Sequence, residues 1–469
     1  MIPADARQEL RTLATLTGPI LISQFSQASY GFIDTLMAGQ VSALDLAAVA
    51  VGSSVWLPLF LLTTGTLLAT TPLVAEAHGA GRRERIPGIT HQALWLALLV
   101  GLCTLLLIRS AAPVLSWLDM SPELREMTRL YLHGASWGMP AVGLFFALRC
   151  YCEAQGRPLP VTVISLSGLA LNVAANHVFI HGSASVPWLQ ALLPAGLEIP
   201  AMGGPGCGWA TSLVLWLLAG ILLTYVLLAP AFRQVRLLRA AVRPRPREIV
   251  RIAALGLPIG IAIFFEVSSF ALVAMLVSPQ GATVVAGHQI ALSVTSMLFM
   301  VPLSIAIALT IRSGQAFGAR NLAALVRIRR VGLTTTTLIA AVSALFLLLA
   351  RDPITRLYTD DPAVRALATQ LLLFAVAYQI VDALQVGAAG CLRGLQDTRS
   401  PMVLTLFAYW GVAIPFGYIA GSTTLLGGQA WGAHGYWAGL VLGLAVASLL
   451  LNRQLRRRLG LLQRDWHGY

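Results

Sequence analysis

Long apolar runs separated by short polar segments repeat along the whole chain. A helix needs about 20 apolar residues to cross the hydrocarbon core of a bilayer, and each run is close to that length or longer. The pattern therefore predicts twelve membrane-spanning helices, at residues 13–39, 47–75, 88–108, 128–152, 159–181, 206–230, 249–278, 284–311, 331–350, 366–391, 401–420 and 434–452.

The composition narrows the class of protein further. The 469 residues are 57% hydrophobic and only 11% charged, and their mean hydropathy is +0.76. A typical soluble protein has about 25% charged residues, which it needs to cover its surface. We therefore expect an all-α, multi-pass membrane protein, and we exclude a soluble enzyme, a secreted disulfide scaffold and, despite the net charge of +13, a nucleic-acid-binding protein.

The arginines predict the orientation of the helices. Short cytoplasmic loops carry an excess of positive charge. If the N-terminus, every even-to-odd connection and the C-terminal tail lie on one side, that side holds 26 of the 32 arginines. Both termini are therefore predicted to be cytoplasmic.

The two halves of the chain repeat each other at an offset of about 239 to 241 residues. For example, residues 77–80 (AHGA) correspond to residues 316–319 (AFGA). We predict an N-lobe at 1–232, an arginine- and proline-rich cytoplasmic linker at 233–248 and a C-lobe at 249–469. Each lobe has an even number of helices, so the pseudo-twofold axis should follow the membrane normal, as in transporters with a site between two halves.

Three acidic residues lie deep inside predicted spans: Asp34, Glu266 and Asp382. A charged residue costs about 2.5–3.5 kcal/mol at the bilayer centre on insertion scales, and we expect no arginine at comparable depth to neutralise any of the three. Other polar residues accompany them on helical faces, namely Gln27, Tyr30, Asn172, Asn176, His288, Gln289, Tyr378, Gln379 and Gln385. One interpretation is that these residues hold helices together through hydrogen bonds. The other is a site that exchanges Na⁺ or H⁺ for an organic cation, and the residues do not decide between the two ions.

The chain contains a series of characteristic segments at residues 31–39 (GFIDTLMAG), 42–49, 79–83, 257–259, 264–267, 285–292 (VAGHQIAL), 378–382 (YQIVD) and 392–399. These segments resemble those of the multidrug and toxic compound extrusion (MATE) transporters, and specifically of their NorM branch. These segments follow one another in order over nearly the whole chain.

The resemblance implies twelve helices in two six-helix lobes and the export of cationic drugs and dyes in exchange for inward Na⁺ or H⁺. It also implies a cation site at Glu266, Asp382 and Tyr378. Asp34, Asn172 and Asn176, with Gln27 and Gln289, are the expected substrate or proton site.

From these observations we expect a Na⁺-coupled antiporter of the bacterial inner membrane, and H⁺ coupling is the closest alternative. A flippase for lipid-linked intermediates is less favoured, because no arginine lies mid-span to bind a pyrophosphate. The expected partners are organic cations, a monovalent cation and membrane lipids. We expect a monomer with no cofactor, no metal beyond the monovalent cation and no enzymatic activity.

Overall fold

The computed structural model describes residues 4–110, 113, 115, 120–186, 198–230, 232, 237, 243–425 and 429–467. Regular structure in these ranges is entirely helical, and it forms the twelve helices that the apolar pattern predicts. The first six are α1 (Ala4–Val41), α2 (Ala43–Leu67, continued by Thr70–Gly79), α3 (Ile86–Arg109), α4 (Pro122–Ser136, continued by Met139–Ala154), α5 (Leu159–His181) and α6 (Gly206–Leu228). The other six are α7 (Pro246–Val277), α8 (Ala282–Gly318), α9 (Leu322–Tyr358), α10 (Pro362–Gly394), α11 (Arg399–Leu406, a π-helical segment Phe407–Ala413, and Ile414–Ser422) and α12 (Ala433–His467).

Ten of these helices are, over the described residues, long and apolar enough to cross a bilayer. The two others are α1, which carries polar side chains along much of its length, and α4. A break at Trp137 and Gly138 divides α4 into two pieces, each shorter than a span.

Several helices extend well beyond their predicted ends. Helix α12 was predicted to end at residue 452 and runs to His467. Helix α9 begins nine residues before its predicted start, where the side-chain oxygen of Asn321 accepts a hydrogen bond from the Ala324 amide (2.9 Å). The apolar run marks only the part of a helix that lies in hydrocarbon, whereas its backbone hydrogen bonds continue until a cap ends them.

The helices form two compact units. We call them the C-unit (Met1–Leu21, Ala75–Gly81 and Ile261–Tyr469) and the N-unit (Ile22–Val74 and Arg82–Gly260). The lobe boundary at 233–248 stays a prediction, because residues 233–236 and 238–242 of the linker lie outside the described residues.

The start of α1 packs in the core of the C-unit. Leu13, Leu16 and Ile20 are buried in one apolar cluster with residues of α8, α9, α10 and α12. At the same end of α1, the guanidinium of Arg312 donates two hydrogen bonds to the Glu9 carboxylate, at 2.8 and 2.9 Å.

The internal repeat is visible in the turns. Gly81 and Arg320 occupy corresponding turns with φ of 71° and 52°, and Gly156 and Gln396 do so with φ of 76° and 60°. In each turn the backbone amide of this residue donates to the carbonyl three residues earlier. The chain therefore adopts the same left-handed turn at repeat-related positions, although only the first half has glycine there.

Two repeat-related glycines let the ends of α2 and α8 cross within the C-unit. A Cβ atom on Gly79 would overlap the backbone of Gln315, and a Cβ atom on Gly318 would overlap the backbone of Glu76. Gly79 corresponds to Gly318, and Glu76 to Gln315, at the same offset of 239. The two contacts are therefore reciprocal, as at a local twofold axis.

Candidate functional site

Asp34 lies buried on α1 in the N-unit and is surrounded by neutral hydrogen-bond donors. Its Oδ1 accepts hydrogen bonds from the side-chain amides of Asn176 (2.7 Å) and Asn172 (3.3 Å). Its Oδ2 accepts a hydrogen bond from the Thr211 hydroxyl (2.8 Å). All four side chains are buried, so these donors replace the water that a carboxylate requires.

The sequence predicted three members of this cluster and missed the fourth. Asn172 and Asn176 lie one turn apart on α5, a spacing that places both amides on one face. Thr211 lies on α6, and its only signal in the sequence is a hydroxyl residue close to the start of an otherwise apolar helix. The Oδ1 of Asn176 is buried and has no hydrogen-bond partner among the described residues.

Gln27, predicted for the same site, is half-buried two turns before Asp34 on α1. Its Nε2 is buried and has no partner in the described part of the chain. Tyr30, between them, donates instead to the backbone carbonyl of Ser165 (2.9 Å). Of these three polar residues on α1, only Asp34 therefore makes hydrogen bonds with the two asparagines.

The second acidic cluster lies in the C-unit and begins with Glu266 on α7. Its Oε1 accepts a hydrogen bond of 3.0 Å from the hydroxyl of Tyr409, which lies on α11 and is buried. Tyr409 was not predicted as a site residue. Its partner is 143 residues away in the sequence, so no local spacing could have revealed the pair.

Asp382, on α10, is completely buried and close enough to Glu266 for the two carboxyl groups to interact electrostatically. Tyr378, one turn earlier, is also buried and interacts electrostatically with both acids. The structure thus brings together the three residues that the sequence predicted as a cation site.

The surroundings of Asp382 differ from those of Asp34. Both carboxyl oxygens of Asp382 are buried without a hydrogen-bond partner among the described residues, and so is the Oε1 of Gln385, three residues later on the same helix. The Nε2 of Gln379 is likewise buried and unpartnered. Among the described residues, this part of α10 therefore has three buried oxygen atoms and one buried amide nitrogen without hydrogen-bond partners.

Positive charge near this cluster is limited. Arg393, near the end of α10, interacts electrostatically with Glu266, an interaction that was not predicted. No ion pair joins an arginine to Glu266 or Asp382 within the described ranges. Nor do these ranges contain a group of three or more histidine, cysteine or acidic residues that could hold a metal ion.

Gln289 is not part of either cluster. It lies on α8 and is exposed, whereas its neighbour His288 is buried. The Nδ1 of His288 accepts a hydrogen bond from the Trp437 indole (3.1 Å). Successive residues of a helix face different directions, which separates these two side chains.

A family model described as MatE matches this chain twice, over residues 19–178 and 258–419. The "probable multidrug resistance protein NorM" of Acinetobacter baylyi is 46% identical over 454 residues, which cover 97% of each chain. The "multidrug resistance protein PmpM" of Pseudomonas aeruginosa is 44% identical, over 96% of this chain and 92% of its own.

Solved structures show the same fold. The crystal structure of a MATE protein in a bent conformation superposes with a TM-score of 0.86, over 98% of this chain and 97% of its own. Its sequence is 19% identical, so the likeness is one of fold.

Proposed function

The chain belongs to the MatE family of multidrug and toxic compound extrusion transporters, and from this premise we propose that it exports organic cations in exchange for inward Na⁺. Membership of the family makes it a multi-pass membrane transporter rather than an enzyme. The relatives at 46% and 44% identity carry names that refer to multidrug resistance, which supports drugs and dyes as the substrates. Because these relatives are bacterial, we propose that the protein lies in a bacterial inner membrane. We also propose that it acts as a monomer.

The unsatisfied oxygens around Asp382 are the observation that carries the choice of Na⁺. Two carboxyl oxygens of Asp382 and the amide oxygen of Gln385 are buried acceptors without donors in the described structure. A proton binds a single oxygen, whereas hard cations are coordinated by several oxygen atoms at once. Glu266 and Tyr378, which interact electrostatically with Asp382, complete the proposed ligand set.

Competition for this acidic site explains the exchange. The buried carboxylate of Asp382 and the half-buried carboxylate of Glu266 attract a cation of either kind, an inorganic ion or an organic drug. Once Na⁺ neutralises Glu266 and Asp382, the attraction for a positively charged drug falls. If Na⁺ and drug favour different conformations, binding of one promotes release of the other and the two fluxes become linked.

H⁺ coupling is the second candidate, and the cluster around Asp34 favours it. All three donors to Asp34 are neutral, so the cluster holds a negative charge without holding a cation. A protonated Asp34 becomes a hydrogen-bond donor. Asn176, whose amide nitrogen donates to Asp34 in this structure, also has an unpartnered Oδ1 that can accept a hydrogen bond. In this proposal Asp34, Asn172 and Asn176 bind a proton or the drug.

The test is ethidium transport by purified protein in proteoliposomes, with a Na⁺ gradient and a pH gradient imposed separately. We expect the Na⁺ gradient to drive transport, and Glu266→Gln and Asp382→Asn to abolish it. Glu84→Gln is the matched control, because it neutralises an exposed carboxylate outside both clusters. Transport that follows only the pH gradient would establish the second candidate.

A failure of both gradients to move any tested cation would favour the flippase interpretation. Full transport by Glu266→Gln and Asp382→Asn would contradict the site assignment, whichever ion drives the wild-type protein.

A further inference from the structure

Helix α11 changes its winding beside the cation cluster. Residues Phe407–Ala413 form a π-helical segment between two α-helical segments. Pro415 lies two residues after its end. A proline inside a helix has no amide to donate and crowds the carbonyl four residues earlier, here that of Gly411. A wider turn at this point relieves that crowding. Such segments are rare in proteins as a whole, and those that occur are often found at functional sites.

The π-helical segment places two consecutive donors against α7. The Tyr409 hydroxyl donates to Oε1 of Glu266 (3.0 Å), and the Trp410 indole donates to the backbone carbonyl of Phe265 (3.0 Å). In a regular α-helix consecutive side chains diverge by about 100°, because one turn takes 3.6 residues. Here both reach adjacent residues of one neighbouring helix, so two bonds fix the register of α11 against α7.

Aromatic contacts connect Tyr409 on α11 with Tyr378 on α10. The ring of Phe270 lies between two tyrosines, with its centroid 6.1 Å from Tyr409 and 6.3 Å from Tyr378. Tyr378, Tyr409 and Leu444 are buried in one apolar cluster. The hydroxyl of Tyr409 is therefore held from several sides and has little freedom to leave Glu266.

We propose that Tyr409 is a positioning residue of the cation site: it binds one oxygen of Glu266 and thereby orients the other for Na⁺. This inference rests on the proposed Na⁺ coupling and adds a residue to it. Partners that orient metal ligands from outside the coordination sphere commonly change affinity by about 10- to 100-fold when they are removed. Tyr409 does not bind the ion, so its loss weakens the site without abolishing it.

Tyr409→Phe is the test, because it removes the hydroxyl and keeps the ring that contacts Phe270. In proteoliposomes we expect the Na⁺ concentration for half-maximal ethidium transport to rise about tenfold. At saturating Na⁺, the maximal rate and the half-saturating ethidium concentration should match the wild type. Trp410→Phe keeps an aromatic ring beside Phe265 but loses the indole donor, and it should raise the same Na⁺ constant by a smaller factor.

Tyr436→Phe is the matched control. Its hydroxyl is also in the C-unit, is buried, and makes a hydrogen bond of 2.5 Å with Ser422, away from the acidic cluster. A loss of stability alone would lower the amount of active protein in both variants and leave the Na⁺ constant unchanged. The expected result is a shift in Tyr409→Phe that raised Na⁺ overcomes, and no shift in Tyr436→Phe.

Two results would overturn the inference, and they differ in what else they overturn. If the wild type responds to Na⁺ and Tyr409→Phe has the same half-saturating concentration, Tyr409 has no positioning role and Na⁺ coupling stands. If wild-type transport ignores Na⁺, both the proposed coupling and the role of Tyr409 fail.

Discussion

The crossing of α2 and α8 gives a sharp prediction about two glycines. Gly79→Ala and Gly318→Ala each add one methyl group where two helix ends touch backbone to backbone in the C-unit. Both residues are the last of an α-helical segment, and neither has the positive φ that would strain an alanine. Any destabilisation therefore comes from the contact and not from the backbone conformation.

The size of the clash follows from the geometry. A Cβ atom on Gly79 would lie 2.6 Å from both the Cα and the carbonyl carbon of Gln315. The carbonyl oxygen of Gln315 would lie closer still. Carbon atoms are in favourable contact at about 3.5–4.0 Å, so the helices must separate by at least about 0.9 Å. Overpacking costs about 1–3 kcal/mol when side chains can adjust, and a backbone obstacle cannot rotate away. We expect each variant to lose about 2 kcal/mol or more.

Thermal unfolding of the detergent-solubilised protein, followed by tryptophan fluorescence, measures this loss. Gly220→Ala on α6 is the control, because a Cβ atom there meets nothing within 4 Å. It should gain up to about 1 kcal/mol, the usual advantage of alanine over glycine inside a helix. Equal unfolding temperatures for all three variants would refute the close contact between α2 and α8.

Three other predictions concern charge and backbone. Asp382→Asn removes a buried charge that has no donor among the described residues, so it should unfold at a higher temperature than the wild type in Na⁺-free buffer. Added Na⁺ should no longer stabilise this variant, and a lower unfolding temperature in Na⁺-free buffer would contradict the prediction. Thr211→Val should lower the free energy of unfolding by about 1.5–3 kcal/mol, because Asp34 loses a buried donor, and denaturant titration measures it. Arg320→Gly should raise the unfolding temperature, with a gain of about 0.5–1 kcal/mol, because it relieves a left-handed φ of 52°. The opposite kind of substitution in the corresponding turn, Gly81→Ala, should lower the unfolding temperature.

The number of helices and the three acidic residues deep within the spans could be predicted from the sequence for the same reason. Hydrocarbon tolerates long apolar helices and penalises isolated charge, so both features stand out in a single chain. The spacing of Asn172 and Asn176 likewise follows from helix geometry, and it placed both amides on Asp34.

Tyr409 and Thr211 could not be predicted, because their roles depend on which helices are neighbours. A tyrosine in an apolar run is usually part of a core, and nothing near residue 409 in the sequence points to Glu266. The π-helical segment was equally hidden, although Pro415 marked its end. The break in α4 at Trp137 and Gly138 had a local signal, because Pro140 follows it and a proline within a span predicts a kink.

The two acidic clusters differ in how the hydrogen bonds of their aspartates are satisfied. Asp34 has three protein donors, so its ionised form is already satisfied and needs no cation from outside. Asp382 has none among the described residues, and Glu266, with which it interacts electrostatically, adds negative charge instead of relieving it. A buried carboxylate without donors is stabilised when a cation or a proton binds to it. We therefore propose that Asp382 and Glu266 carry out the ion exchange, and that Asp34 is a second anionic site for a drug or a proton.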